Sequence, residues 1–318
     1  MKKLLLSFLI LALLTACDNE PIDSDLTEQS GGGDDGGGDD VGGGSGSESG
    51  DLTLSVFELD TDISIEFFGL TLRTITNSDI NISDDKIVSS NIVLEVEGTP
   101  SETETQTYTR NNEGQIISNI SVNTSGVTTN EYLITYTDGR ISQITYDYFE
   151  DDFDDYVYNF EYADNTITRT EVGSSISTVF TLDGFDRIIK KESFDGGFSI
   201  QSETITYNGV GNINSSLGTG ELDSDYSYTF DDNTNPLQVV YNDNYLLNFL
   251  ADEYSDEIGQ YIAQFHSTNN WTGISSDEDT FTFDLEYNSV GRITRRDVDY
   301  SFGDVFSVSM DEEFNYVN

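Results

Sequence analysis

Tyr136-Thr137-Asp138-Gly139-Arg140-Ile141 is the stretch of sequence that decides the fold of this chain. An aromatic residue ends one segment, a polar turn follows, and an aliphatic residue opens the next segment. The turn requires a residue at positive φ, a conformation that Gly and Asn adopt at little cost. The aromatic and aliphatic side chains then pair across the hairpin on its buried face. The stretch therefore predicts two antiparallel strands joined by a tight turn.

The same unit recurs along the chain, which predicts a series of hairpins lying side by side. The last two copies lie much farther apart than the others, so we expect an insertion between Phe230 and Tyr287. Arg140, Arg187 and Arg292 follow their turns directly, and we expect them to pair with carboxylates on neighbouring strands. The further copies are Tyr108–Ile116, Tyr162–Ile167, Phe180–Ile188, Tyr207–Ile213, Phe230–Leu237 and Tyr287–Ile293.

Alternation of apolar and polar residues also predicts strands. A strict period of two indicates one buried and one solvated face, which is typical of antiparallel sheets. Pro is scarce, while β-branched and aromatic residues, which favour strands, are abundant. Residues 51–99 lack the repeat but alternate too, so we expect them to extend or cap the sheet, with a separate small domain as the alternative. The clearest runs are Tyr156–Tyr162, Tyr226–Phe230 and Phe281–Tyr287.

These patterns predict one all-β domain over residues 51–318, in which antiparallel hairpin repeats form a large curved sheet or a barrel-like structure. One stretch departs from the pattern. Between Tyr245 and Phe265, apolar residues recur every three or four positions, which is helical spacing. We expect a minor helical insertion near 245–265, consisting of one or two short helices packed on the sheet or plugging one end of it.

The repeat unit resembles the tyrosine-aspartate (YD) repeats of Rhs-type proteins, in which an aromatic residue and a turn precede Gly-Arg-Ile or Gly-Arg-Leu. Roughly residues 100–318 are also similar to lipoproteins of unknown function from the Bacteroidota, which have a porin-like, strongly curved β-sheet. The resemblance implies an architecture and supplies no catalytic residues. Rhs shells contain many more copies of the repeat, so we do not expect a shell that encloses a toxin.

The start of the chain predicts a secretory signal peptide over residues 1–16, because two lysines precede the apolar run Leu4–Leu14. This run is too short for the ~20 residues that span a bilayer, which argues against a transmembrane anchor. Leu14-Thr15-Ala16-Cys17 resembles the end of a bacterial lipoprotein signal, in which the Cys becomes the first mature residue and carries acyl chains such as palmitate. Cys17 is the only Cys, so an internal disulfide is impossible. The resemblance therefore implies lipidation of Cys17.

Residues 17–50 contain the lipidated Cys and a stretch rich in Gly, Ser and Asp that predicts a disordered tether. Asp18-Asn19-Glu20 resembles the acidic export tag that follows the Cys in surface lipoproteins of the Bacteroidota. This resemblance implies an outer-membrane lipoprotein exposed on the cell surface, with the periplasmic face of the membrane as the alternative. The membrane is then a partner through the lipid on Cys17.

The formal net charge of −47 bears on partners and cofactors. Such a surface repels phosphate backbones, so we expect no nucleic-acid partner. The dense acidic runs Glu150–Asp155 and Asp277–Asp279 contain the hard oxygen ligands that calcium prefers, but both lack the spaced ligands and turn Gly of a calcium loop. We expect no resident cofactor, with bound calcium as the alternative.

The sequence contains no catalytic signature that stands out. His266 is the only His, no nucleophile elbow accompanies it, and a zinc site needs more His or Cys ligands than the chain has. A pair of carboxylates for glycoside hydrolysis stays open, because such a pair forms in space. Trp271, the only Trp, lies in a polar stretch that predicts a loop. Its side chain is either partly buried or an exposed ligand contact.

We therefore expect a lipid-anchored protein of the cell envelope with a non-enzymatic binding or structural role. Its partner is expected to be a glycan or another protein, and the oligomeric state does not follow from the sequence. The alternatives are a glycan-binding accessory protein and a glycoside hydrolase that uses two carboxylates.

Overall fold

A computed structural model describes residues 52–317, except 68–69, 98, 100, 150–154, 222 and 303–305. The predicted signal peptide, Cys17 and the tether lie outside the described residues. So does the acidic run Glu150–Asp155, apart from Asp155. Among the described residues, none of the helices has the length and apolar character that crossing a bilayer requires.

The described residues form nineteen β-strands, which confirms the prediction of an all-β fold. The strands are β1 Thr53–Phe67, β2 Leu70–Ser83, β3 Lys86–Val96, β4 Glu102–Arg110, β5 Ile116–Asn123, β6 Thr128–Thr137, β7 Arg140–Tyr148, β8 Tyr156–Ala163, β9 Thr166–Glu171, β10 Ile176–Leu182, β11 Ile188–Asp195, β12 Phe198–Tyr207, β13 Ile213–Gly220, β14 Ser224–Thr234, β15 Asn269–Ser275, β16 Thr280–Thr282, β17 Asp284–Tyr287, β18 Ile293–Phe302 and β19 Phe306–Val317.

The strands form one antiparallel sheet that curves back on itself. Except at β16 and β17, each strand pairs with the next along the chain, and β1 also pairs with β19, so that Thr53 lies opposite Val317. Within the described ranges, the ladder is interrupted between β16 and β17, at Phe283, whose backbone N–H donates to the Thr272 carbonyl at 2.9 Å. The sheet is therefore barrel-like and nearly closed. The strands β1, β2 and β3, which lack the repeat unit, extend this same sheet.

Side-chain caps build several of the turns. In the turn before β11, Asp183 Oδ1 accepts from the backbone N–H groups of Phe185 at 2.8 Å and Arg187 at 3.1 Å, while Asp186 adopts a φ of 60°. The short turn before β7 uses Asp138 and Gly139 at φ values of 53° and 77°. A polar residue that caps its own turn explains why Asn, Asp and Gly recur at these positions. Asn111, Asn123, Asn208 and Asn288 cap their turns as Asp183 does.

Tyrosine hydroxyls tie neighbouring hairpins together. The Tyr136 hydroxyl donates to the carbonyl of Ile116 at 2.8 Å, and the Tyr207 hydroxyl donates to that of Ile188 at 3.0 Å. In both cases the accepting Ile opens the strand after the preceding turn. This contact satisfies a polar atom in a largely buried ring, and it explains why the aromatic position of the repeat is so often Tyr.

The prediction that the arginines after the turns pair with carboxylates on neighbouring strands is wrong for Arg140 and Arg187. The guanidinium of Arg140 lies 5.2 Å from the ring centre of Tyr162, and that of Arg187 lies 4.1 Å from the ring centre of Tyr207. Arg187 pairs with Asp183 of its own turn, at 2.6 Å. The residue opposite each Arg on the next strand is aromatic, so the cation stacks on a ring.

The connection between β14 and β15, residues 235–268, contains the helices, and we call it the plug. Helix α1 spans Pro236–Asn242, α2 spans Tyr245–Leu250 and α3 spans Gly259–Tyr261, followed by the π-helical turn Ile262–His266. Helical structure begins earlier than the predicted insertion near 245–265. Asn235 caps α1 by accepting from the Leu237 N–H at 3.0 Å. The copy of the repeat at Phe230–Leu237 therefore leads into a helix.

The plug lies inside the curved sheet. Phe249, Ile262 and Phe265 are fully buried. The ring of Phe265 packs on that of Phe57 in β1, with centroids 6.2 Å apart. On the opposite side of the sheet, Arg169 of β9 donates to a plug carbonyl. Since contacts reach the plug from strands so far apart around the sheet, its apolar residues form the centre of the hydrophobic core.

Truncation of the plug core should destabilise the whole domain. We expect Phe265→Ala to lower the free energy of unfolding by about 3–5 kcal/mol, because the ring leaves a cavity in a packed interior. The matched control is Val239→Ala on α1, whose side chain is 54% exposed, with an expected change within about 0.5 kcal/mol. Urea unfolding followed by tyrosine fluorescence measures both. Equal effects of the two substitutions would show that the plug does not support the sheet.

Candidate binding cleft

One end of the sheet gathers the turns of the repeat and both ends of the described chain. Because strand direction alternates, the turns that follow β2, β4, β6, β8, β10 and β12 lie at this end, as do Thr53 and Val317. The plug also enters and leaves the sheet here, since it follows β14. We call this end the turn end.

A cleft of about 500 Å³ opens at the turn end, and we call it the mouth cleft. One side consists of the turns before β7, β9 and β11, and the other consists of the connection between α1 and α2. A concave site of this size with several polar groups is typical of small-ligand binding. The lining includes Tyr136, Arg140, Tyr162, Asp183, Asp243 and Asn244.

The sheet side of the mouth cleft contains one tyrosine that differs from its counterparts. Tyr136 and Tyr207 donate their hydroxyls to backbone carbonyls, as described above. The Tyr162 hydroxyl is buried and has no hydrogen-bond partner among the described residues. Arg140, which lies over the Tyr162 ring, makes no ion pair within the described part of the chain. The lining of the cleft therefore includes a guanidinium without an ion pair and a tyrosine whose buried hydroxyl has no partner among the described residues.

The plug side of the mouth cleft is held in place by charge pairs. Asp243, between α1 and α2, accepts from Lys86 Nζ at 2.7 Å and from Arg110 Nη1 at 2.6 Å. The Tyr245 hydroxyl accepts from the backbone N–H of Ile188 at 2.9 Å. Because these contacts connect the plug to β3, β4 and β11, the two sides of the cleft are positioned before any ligand arrives.

The carboxylates of the cleft are largely compensated. Asp243 has two cationic partners. Burial acts to raise the pKa of Asp183, but hydrogen bonds from the side chain and backbone of Arg187 outweigh it, so the pKa of Asp183 is lowered. Asp183 is therefore ionised and paired. Asp164 and Asp186 lie exposed at the tips of their turns.

Buried charges attach the plug to the sheet on its other side. Lys191 Nζ donates to the carbonyls of Glu253 at 2.7 Å and Asp256 at 2.8 Å. Glu203 accepts from the backbone N–H groups of Ile258 at 2.6 Å and Gly259 at 3.0 Å. Each buried charge thus meets plug backbone groups of opposite polarity, which compensates for part of its lost hydration.

A second buried attachment joins the plug to β18 and β19. Glu312 accepts from Arg296 Nη2 at 2.9 Å and from Gln264 Nε2 at 2.6 Å, and both charged side chains are fully buried. Removal of one partner would leave an uncompensated buried charge, which typically costs about 3–5 kcal/mol. The ion pair therefore holds the last part of the plug against the sheet.

Burial shifts the pKa values of carboxyl groups at the interface between the plug and β11 and β12. It raises the pKa of Glu203 to about 7; the charge of Glu257 adds to the shift, and the two backbone N–H groups and Lys191 oppose it. Burial also raises the pKa of Asp252 and of Asp256 and lowers that of Lys191. Lys191 and Glu203 belong to the sheet and bind plug backbone groups, whereas Asp252 and Asp256 belong to the plug itself, and none of the four lines the mouth cleft.

The structure places the candidate residues from the sequence outside the mouth cleft. Trp271 lies on β15, not in a loop, and is fully buried, with its ring 4.7 Å from that of Phe283. This burial contradicts the exposed ligand contact. His266 lies in the plug with Nδ1 2.8 Å from Asn242 Oδ1, and burial lowers its pKa to about 3. Asp277–Asp279 lies in the turn after β15, and no cluster of three or more potential metal ligands occurs among the described residues.

Sequence reasoning missed the residues that form the mouth cleft. Tyr162 was predicted only as a core aromatic, and Asn244 lies directly before the segment predicted as helical. The one available signal was the run Asn242-Asp243-Asn244, which places three polar residues together between apolar stretches. Such a run suggests an exposed break between helices, but nothing in it indicates which turns of the sheet lie opposite.

Two porin-like proteins are among the solved structures to which the chain is similar. The one from Bacteroides uniformis ATCC 8492 matches with a TM-score of 0.45 and 12% identity, covering 83% of this chain and 96% of that chain. The one from Bacteroides vulgatus ATCC 8482 matches with a TM-score of 0.27 and 12% identity, covering 84% and 99%. No family model and no curated protein matches the chain. Likenesses this weak carry no conclusion about function.

Stability should fall as the pH rises through the pKa of Glu203. Its pKa is raised in the folded state, so the folded protein binds a proton that the unfolded chain releases, and the resulting stabilisation is lost between about 4.3, the ordinary value, and about 7. We expect Glu203→Gln to flatten this part of the stability profile, measured as the melting temperature against pH.

Asp183→Asn is the control for this experiment, because the pKa of Asp183 is lowered. Its stabilisation is present above the ordinary pKa of Asp and is lost as the pH falls, so this variant should change only the acid end of the profile. A profile of the Glu203 variant that runs parallel to that of the wild type would contradict the assignment.

Proposed function

We propose that the protein is a lipid-anchored protein of the cell envelope that binds a ligand in the mouth cleft and does not transform it. The observation that carries the proposal is the cleft itself. It has a volume of about 500 Å³ and positioned walls, and Tyr162 and Arg140 have unused bonding capacity there. The ligand is a glycan or a segment of another protein.

The anchor would place this cleft near the membrane surface. Residue Thr53 starts β1 at the turn end, so the chain that leads back to Cys17 joins the domain at the end where the cleft opens. Gly- and Ser-rich composition over residues 17–50 supports a flexible connection. We propose the outer face of the outer membrane as the location, with the periplasmic face as the alternative.

A glycoside hydrolase is the second candidate, and the carboxyl groups argue against it. Its general acid needs a raised pKa and access to the substrate. The pKa of Asp183 in the cleft is lowered. The pKa of Glu203 is raised, but its oxygens accept hydrogen bonds from the plug backbone and the side chain is buried. Glu203, whose raised pKa would suit a general acid, therefore lies where it binds the plug backbone and not in the mouth cleft.

Replacement of Cys17 by Ser tests the anchor. We expect wild-type cells grown with labelled palmitate to incorporate label into the protein and to retain it in the membrane fraction, because acyl chains partition into the bilayer. Cys17→Ser should lose both properties and leave a soluble protein. External protease should remove the wild-type domain from intact cells. Protection from protease until the outer membrane is opened would place the protein on the periplasmic face.

Leu246→Trp tests the mouth cleft. Leu246 of α2 lines the cleft and is only partly buried, so a larger ring should occupy ligand space without disrupting the core. We expect this variant to lose binding to any glycan or peptide that the wild-type protein retains on an array. The control is Val172→Trp, at the opposite end of the sheet and 62% exposed in the wild type. Unchanged binding by the Leu246 variant would exclude the mouth cleft as the binding site.

A further inference from the structure

A second, smaller cavity of about 40 Å³ lies between the plug and the inner face of β3–β6, and we call it the inner cavity. Its apolar wall consists of Ile87, Ile116 and Ile134 from the sheet. The plug contributes Tyr241 of α1 and Asn248 of α2. The inner cavity is therefore part of the interface between the plug and the sheet.

The inner cavity and the mouth cleft are neighbours. Asn244 and Leu247 line both spaces. These two side chains, at and just after the start of α2, form the partition between them. Both side chains are only partly buried, so no fully packed core residue separates the two spaces at this point.

Three residues that line the inner cavity each carry a buried polar atom with no hydrogen-bond partner among the described residues. The atoms are Asn119 Oδ1 on β5, the Tyr241 hydroxyl on α1 and Asn248 Nδ2 on α2. An unsatisfied buried polar atom costs about 1–3 kcal/mol, so these atoms occur in native proteins mainly where a polar molecule meets them. Their occurrence around one small cavity, from three separate elements, indicates a polar occupant.

The chemistry of the three atoms defines that occupant. Asn119 Oδ1 needs a donor, Asn248 Nδ2 needs an acceptor, and the Tyr241 hydroxyl serves as either. A hydroxyl group both donates and accepts, as does a water molecule. A carboxylate has no proton for Asn119, and an ammonium group has no acceptor for Asn248. No Lys, Arg, Asp or Glu lines the inner cavity to compensate either charge.

The volume limits how much of a ligand enters. A cavity needs about 10–15 Å³ to hold one water molecule, so about 40 Å³ accommodates only two or three groups of that size. A hydroxymethyl group fits this space, and a sugar ring does not. The rest of such a ligand would have to lie in the mouth cleft, beyond Asn244 and Leu247.

We propose that the inner cavity is the inner subsite of the mouth cleft and binds the terminal hydroxymethyl group of a neutral sugar or polyol. This inference rests on the proposed function, because it takes the mouth cleft as the binding site. It adds the chemical class of the ligand: uncharged, rich in hydroxyl groups and bearing a primary alcohol. The Ile side chains contact the carbon atom, while Asn119, Tyr241 and Asn248 bind the hydroxyl.

The test compares sugars that differ only at the hydroxymethyl group. The probes are methyl hexosides of the gluco, galacto and manno configurations, each with its 6-deoxy and its uronate counterpart, titrated against the wild-type protein by calorimetry. We expect at least one hexoside to bind about tenfold more tightly than both of its counterparts, since the lost hydrogen bonds amount to about that factor.

Two substitutions assign this preference to the inner cavity. Asn119→Leu and Asn248→Leu keep the side-chain size but remove the hydrogen bonds, so each should abolish the preference for the hexoside over its 6-deoxy counterpart. Tyr241→Phe should reduce the preference with less effect on packing, which keeps the test decisive if a Leu variant fails to fold. The control is Asn165→Leu at the mouth cleft. This substitution should weaken the binding of the hexoside, its 6-deoxy counterpart and its uronate counterpart to the same extent.

The possible outcomes separate this inference from the proposed function. A hexoside that binds with a preference unchanged by Asn119→Leu, Asn248→Leu and Tyr241→Phe overturns the inner subsite. If Leu246→Trp abolishes this binding, the mouth cleft still holds as the binding site. Stronger binding of a uronate, or only water in the inner cavity of a hexoside-soaked crystal, also overturns the inference. Absence of binding by every hexoside overturns the inference as well. The array experiment with the Leu246 variant then tests independently whether the mouth cleft is a binding site.

Discussion

A sheet of nineteen strands encloses more space than its own side chains fill, and this constraint governs the rest of the structure. The plug fills this space, and its residues Phe249, Ile262 and Phe265 form the centre of the core. Because the plug is a connection between two adjacent strands, its backbone polar groups enter the interior with it. The sheet must satisfy them, which explains why Lys191 and Glu203 point inward in a fold whose interior would otherwise be apolar or empty.

The arrangement of these attachments determines where ligands have access. Buried charges fasten the plug to β11 and β12 and to β18 and β19, and Asp243 fastens the end of α1 near β3 and β4. At the inner wall of β5 and β6, Asn119 of β5 and Asn248 of the plug instead border a cavity. The inner cavity and the mouth cleft therefore lie where packing between plug and sheet is incomplete, while the attachments elsewhere keep these spaces from collapsing.

Much of the fold was predictable because its signals are local. The alternation of Tyr156–Tyr162 and the turn at Asp138-Gly139 specify strands and hairpins through interactions within a few residues. The helical spacing after Tyr245 was predicted too, although α1 begins earlier, at Pro236, where a cap and a proline replaced the expected hairpin turn. The binding cleft was not predictable, since Tyr162 and Asn244 come together only after the plug has entered the sheet. Trp271 shows the same limit: its polar neighbours predict a loop, yet the ring packs in the core.

The sequence by itself determined the class of fold, the course of its hairpins and the presence of a helical segment, because turn chemistry and side-chain period act between residues close in the chain. Only the tertiary structure decided that β1 meets β19, that the plug lies inside the sheet and that the mouth cleft and the inner cavity remain between plug and sheet. Those features depend on contacts between residues far apart in the chain, such as Phe57 with Phe265, and on how completely the enclosed volume is filled. Local patterns in the sequence do not specify the volume that the sheet encloses or how much of it the plug fills.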